Sequence, residues 1–227
     1  MATKKTTTNA DVEIIQVQPI KIQKRKITIV GDTPLIVHAW SEKAKKEMLE
    51  KQMKTTKTSG KAVRDPFAEF MNACYWITPQ PEESTPEAFE KAVKNGAKFG
   101  FPVTAIKQCA ASAMVRNGVE KNKMGMRGAF FIEGIGENLL GEIITPEPPK
   151  CKEDMVKIGG VSKTSDLRYR PMFENWRMEL TILYNENSKY KFEQIVNAIN
   201  QGGFCCGIGE WRPERDGQFG MFHVETN

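Results

Sequence analysis

The sequence predicts an α+β domain built around an antiparallel sheet. Three observations point to this class. Trp176, Met178, Leu180, Ile182 and Tyr184 alternate with polar residues, as on a half-buried strand. Ala105–Arg116 and Ser188–Asn200 carry apolar stripes at helical spacing. Shorter strand-like runs flank both helices.

The elements follow in chain order. Ile20–Gly31 reads as a strand whose alternation slips across Lys24-Arg25, which predicts a bulge or bend. Gly31-Asp32-Thr33-Pro34 breaks it. Ser41 is an N-cap candidate for a helix over Ser41–Lys54, followed by a polar, basic loop over Thr55–Lys61. Asp65-Pro66 and Thr85-Pro86 each place an N-cap before proline at the first helical position, so two more helices are expected there. The stripe Ile106, Cys109, Ala110, Ala113, Met114 defines a fourth helix, closed by Gly118. Ala129–Ile135 and Leu139–Thr145 read as a strand pair joined by a glycine-containing turn. Residues 146–175 show no clear period and are expected to form a long loop. Helix Ser188–Asn200 ends at Gly202-Gly203, and Gln218–Val224 is the last strand.

Without the insertion at 41–100, the order is strand, helix, strand, strand, helix, strand. This is the split βαβ order of ferredoxin-like and RNA-recognition-type folds, with helices on one sheet face and the other face open. Residues 17–227 are expected to form this one domain, and 1–16 a flexible tail. The chain has 227 residues, 27% charged and 40% hydrophobic, with a net charge of +5. That balance permits a polyanionic partner without requiring one. Five unpatterned cysteines argue against a disulfide framework and for a reducing compartment. No apolar run approaches membrane-span length, and Met1–Ala10 lacks a signal-peptide core. A cytoplasmic location, in a bacterial cytosol or a phage-infected cell, is therefore expected, with no membrane partner.

Two segments carry the candidate chemistry. The first, Gly202–Phe222, is glycine-rich between a helix and a strand. Gly207, Gly209 and Gly217 allow close backbone approach, Arg212 and Arg215 suit phosphates, and Trp211 offers a stacking face. A purely structural turn is the competing explanation. The second, Gly159–Phe173, interleaves Lys163, Arg168 and Arg170 with Tyr169 and Phe173, a pattern suited to a single strand of nucleic acid. A solvated loop pinned by its aromatics is the alternative. Lys24 and Lys26 on the first strand complete the candidate set. The basic stretch Lys43–Arg64 is more commonly explained by a solvated helix face than by a phosphate-tracking surface. His38 and His223 form no recognisable catalytic motif, the cysteine spacing does not suit zinc, and no cofactor is expected.

The strand leading into Thr33-Pro34-Leu35-Ile36, the insertion after it, the long loop and the terminal Gly207-x-Gly209…Gly217-Gln218-Phe219-Gly220 segment together resemble the RAMP superfamily, the RNA-binding proteins of CRISPR effector complexes. The resemblance covers the element order over most of the chain. At residue level it rests on Gly207–Phe222, where Trp211 and Pro213 are bulkier than the family's loop. It implies a modified RNA-recognition fold, a glycine-rich loop holding Gly207, Gly209, Arg212 and Gly217, and a thumb at Gly159–Phe173. The function expected is sequence-independent binding of single-stranded RNA or DNA by a homo-oligomer or multi-subunit complex. A structural or assembly protein, such as a phage virion or host-interaction component, is the alternative. A metal-independent nuclease using His38 or His223 is a further one.

Overall fold

The computed structural model describes residues 18–40, 45, 48–50, 52–53, 64–158 and 164–225. The expected N-terminal tail, most of the Ser41–Lys54 helix, the Thr55–Lys61 loop and Lys163 lie outside the described residues.

The fold is α+β. Its main sheet has four antiparallel strands: β1 (Ile22–Gly31), β4 (Phe130–Ile132), β8 (Arg177–Asn185) and β9 (Phe222–Val224). They lie in the order β4-β8-β1-β9. Numbered by their place in the split βαβ order, this is 2-3-1-4, the ferredoxin-like arrangement. Helices α3 (Val103–Arg116) and α5 (Phe192–Cys205) pack together on one face of this sheet. That face is apolar because of strand alternation: Ile29 on β1 lies beside Met178, Leu180, Ile182 and Tyr184, all buried. Ile106, Ala110, Ile195 and Ile199 meet them from the helices.

The predicted N-caps at Asp65 and Thr85 are present. The Asp65 carboxylate accepts from the Phe67 and Ala68 amides of α1 (Pro66–Asn72), at 3.0 Å each. The Thr85 hydroxyl accepts from Ala88 of α2 (Pro86–Lys94) at 3.2 Å. Both helices belong to the insertion, with α1 packing on β7 (Thr164–Phe173).

Several expectations are corrected. No bulge interrupts β1: its register with β8 is continuous from Ile22↔Asn185 to Val30↔Arg177. The phase slip arises because Ile22 lies on the solvent face while Ile27 and Ile29 face the helices. The two runs at 129–145 are not a hairpin. β4 joins the main sheet, whereas β5 (Leu140–Ile143) pairs with β3 (Phe99–Pro102), and only an Ile135–Leu140 bridge links the two runs. Helix α5 does not stop at Gly202-Gly203. A Cβ on Gly202 would lie 3.0 Å from backbone atoms of α3, and one on Gly203 1.9 Å from the Phe222 carbonyl, so these glycines serve close packing inside the helix. The last strand is shorter than expected, starting at Phe222.

The largest correction concerns 146–175. It is a β-ribbon: β6 (Lys150–Ile158) pairs with β7 from Lys150↔Met172 to Ile158↔Thr164. The short strand β2 (Leu35–Ile36) extends it into a three-stranded sheet. No apolar alternation marks these strands, since Cys151, Met155 and Leu167 are exposed while Asp154 and Arg170 are buried.

Candidate nucleic-acid interface

Among the described residues, no helix packs on the second face of the main sheet. Strand alternation puts Lys24, Lys26, Thr28 and Val30 of β1 there, beside Arg177, Glu179, Thr181 and Leu183 of β8. All are exposed or half-buried. Phe131 on β4 joins them, 59% exposed as a residue, and the Lys107 ammonium from α3 sits 3.7 Å from the ring centroid. Burial, reinforced by Arg127, pulls the Lys107 pKa below that of a free lysine. His223 projects from β9 on the same face and bonds Asp32 at 2.6 Å. Lys24 pairs with Glu133, while Lys26 and Arg177 have no ion pair among the described residues. The face therefore offers an aromatic platform among cations, with Glu179 as a counter-charge.

The glycine-rich segment lies at the end of the sheet, against β2. Gly207 and Gly209 adopt left-handed φ of 64° and 78°, and a Cβ on Gly209 would lie 2.4 Å from the Ile36 carbonyl. A Cβ on Gly217 would lie 1.7 Å from the Trp211 carbonyl. The amides of Gly207, Ile208, Glu210, Gly217, Phe219 and Gly220 all donate to protein carbonyls. The glycines thus let the loop fold tightly on itself and on β2; the amides do not converge on an empty nest. Trp211, with φ of 53°, is 38% exposed at the loop's tip.

The arginines predicted from sequence are mostly engaged. Arg212 donates to Glu214 at 3.0 and 3.1 Å and to the Gly209 carbonyl at 3.0 Å. Burial raises the Glu214 pKa, but the Arg212 hydrogen bond and the charges of Arg212 and Lys123 outweigh it, and the carboxyl is held below its usual range. Arg170 is buried at the ribbon's base. It pairs with Asp154 at 3.2 Å and reaches Glu210 of the glycine-rich loop at 3.4 Å, while its Nε has no partner. Arg168 pairs with Asp166 at 2.8 Å, and the Arg64 guanidinium lies 6.0 Å from the Tyr169 ring centroid. Arg215 is exposed, with no ion pair among the described residues. The structure brings Arg170 and Arg212 to one loop, but inside ion pairs. It puts Lys24 and Lys26 on the separate open face.

A small cavity of about 180 Å³ lies beside the loop, lined by His38, Tyr75, Gln108, Gly209, Glu210 and Arg212. Burial and the Arg170 charge push the His38 pKa down, with Glu210, 4.0 Å away, opposing them. Burial and the Arg170 charge thus favour the neutral imidazole. His223 lies apart from it on the open face, so the two histidines form no acid–base pair. Among the described residues, no group of three or more His, Cys, Asp or Glu is placed to hold a metal ion, and no helix is long and apolar enough to cross a membrane.

Sequence reasoning missed Phe131, Lys107 and Arg177. Phe131 stands in the all-apolar run Phe130-Phe131-Ile132, where no alternation marks which residue faces outward. Lys107 and Arg177 had no signal either. The sequence matches no protein-family model and no curated protein.

Proposed function

We infer that this protein binds single-stranded RNA or DNA without sequence preference, across the second face of its main sheet and as an oligomer along the strand. The observation that carries the reading is the Phe131 ring, exposed on a regular strand beside the Lys107 ammonium and in one cross-strand row with Leu183 and Lys24, with Lys26 and Arg177 farther along the same face. Base stacking on one aromatic contributes about 1–3 kcal/mol, and lysine and arginine add salt-dependent phosphate contacts. The β6–β7 ribbon and glycine-rich loop, joined by Arg170 and Glu210, suit the thumb and loop of the RAMP resemblance and support the same reading.

Fluorescence polarisation with labelled single strands at several salt concentrations tests it. Phe131→Ala lowers affinity while leaving the salt slope unchanged. Arg177→Ala reduces the log–log slope by about 0.7 for one lost phosphate contact. Absence of binding at low salt, or wild-type affinity in both variants, overturns the proposal.

A further inference from the structure

Three of the five cysteines meet where α5 packs on α3. Cys109 of α3 faces α5 at Gly202, where a Cβ would lie 3.0 Å from the Cys109 sulfur. Gly202 has no side chain, so the sulfur takes that place. Cys206 caps α5 one turn later on the same face, its amide donating to the Gly202 carbonyl at 2.9 Å. The Cys109 thiol hydrogen-bonds Cys206, and the Cys205 and Cys206 sulfurs lie 3.6 Å apart.

These neighbours favour a thiolate on Cys206. The hydrogen bond from Cys109, with that from Cys205 and the charge of Arg116, holds the Cys206 thiol below the usual cysteine range, against its burial and the Glu214 carboxylate. The same hydrogen bond and burial push the Cys109 thiol up, so Cys109 keeps its proton. A thiolate is the reactive form of cysteine. Burial pushes the Cys74 thiol up as well, and its sulfur reaches only the Phe70 carbonyl.

Access and geometry select the reaction. Cys206 is fully buried, but Cys109, Gly207 and Ile208 line the cavity of about 180 Å³ beside the glycine-rich loop. A water takes about 30 Å³ of liquid volume, so hydrogen peroxide fits there and a peptide disulfide such as oxidised glutathione does not. Consecutive Cα atoms stand about 3.8 Å apart, short of the roughly 4.4–6.8 Å that a disulfide spans, so Cys205 is a poor partner for Cys206. Cys109, on the neighbouring helix, is the better one.

We propose that Cys206 and Cys109 are a peroxide-oxidised thiol pair that closes to a disulfide between α3 and the end of α5. The Cys206 sulfur attacks one peroxide oxygen, the O–O bond breaks, and the departing hydroxide takes a proton from solvent to leave as water. The Cys109 sulfur then attacks the Cys206 sulfenic acid, the S–O bond breaks, and hydroxide leaves as water with the Cys109 proton. Two thiols lose two electrons, and the peroxide gains them. The bond ties the start of the glycine-rich loop to α3. It goes beyond strand binding and does not depend on it.

The test treats the full reduced chain with hydrogen peroxide, blocks the remaining thiols by alkylation and maps the peptides by mass spectrometry. A link between Cys109 and Cys206 forms, dithiothreitol reverses it, and Cys206 loses its free thiol at least about tenfold faster than Cys74. Cys205→Ser keeps the link, which separates Cys206 from its neighbour. Cys109→Ser abolishes it and leaves a sulfenic acid on Cys206 that dimedone captures. Wild type and Cys205→Ser suffice where Cys109→Ser fails to fold. Free thiols at both positions after peroxide, a link through Cys205 instead, or oxidation of the exposed Cys151 alone overturns the proposal.

Discussion

Arg170 and Asp154 are the most buried charged groups of the described structure, with side chains 8% and 6% exposed. Removing either breaks the buried pair but leaves Asp154 with Lys152, or Arg170 with Glu210, so Arg170→Ala or Asp154→Ala lowers stability by about 1–3 kcal/mol. Urea denaturation checks this, with a lower midpoint and an unchanged slope. Arg212 supports the glycine-rich loop through Glu214, and pH exposes that role. The Glu214 pKa is lower folded than unfolded. Its contribution is complete above the unfolded value and is lost as pH falls through the folded one. Arg212→Ala reduces stability at pH 7 and makes the decline between about pH 5 and pH 3 shallower than in wild type. Parallel pH-dependent melts of the two proteins measure the difference.

Among the elements, α5 and β9 come closest together at a glycine. Gly203→Ala places a methyl against the Phe222 carbonyl and costs at least about 1–3 kcal/mol. In the short helix α4 (Met124–Ala129), a Cβ on Gly128 meets nothing within 4 Å, so Gly128→Ala is neutral or stabilising by up to about 1 kcal/mol. Thermal melts of the pair separate packing from propensity. The long helices and β8 were legible because each lays one face on a core, which forces an apolar period into the sequence. The β6–β7 ribbon was not, because backbone hydrogen bonds and the Asp154–Arg170 pair hold it rather than an apolar face. Strand β3 escaped notice for another reason: Phe99-Gly100-Phe101-Pro102 is too short to show a period, and it forms because β5 lies beside it.

For the whole molecule, the positions of the cations matter more than the net charge of +5. Arg168 and Arg212 already answer carboxylates, whereas Arg215 and Arg177 make no ion pair among the described residues. In salt titrations of strand binding, Arg168→Ala and Arg212→Ala leave the slope close to wild type. Arg215→Ala reduces it by about 0.7 if the glycine-rich loop touches the strand. An equal reduction in all three would return the paired arginines to the interface.

The sequence by itself determined the α+β class, the two packed helices, the alternating central strand and the N-caps at Asp65 and Thr85. Each is set by local periodicity or by a side chain bonding its own backbone. Only the tertiary structure decided the strand order, the pairing of β3 with β5, the ribbon, the neutralised arginines and the exposed position of Phe131 among cations. Those depend on which distant segments meet, and a chain read residue by residue carries no distance between Arg170 and Asp154 or between Lys107 and Phe131.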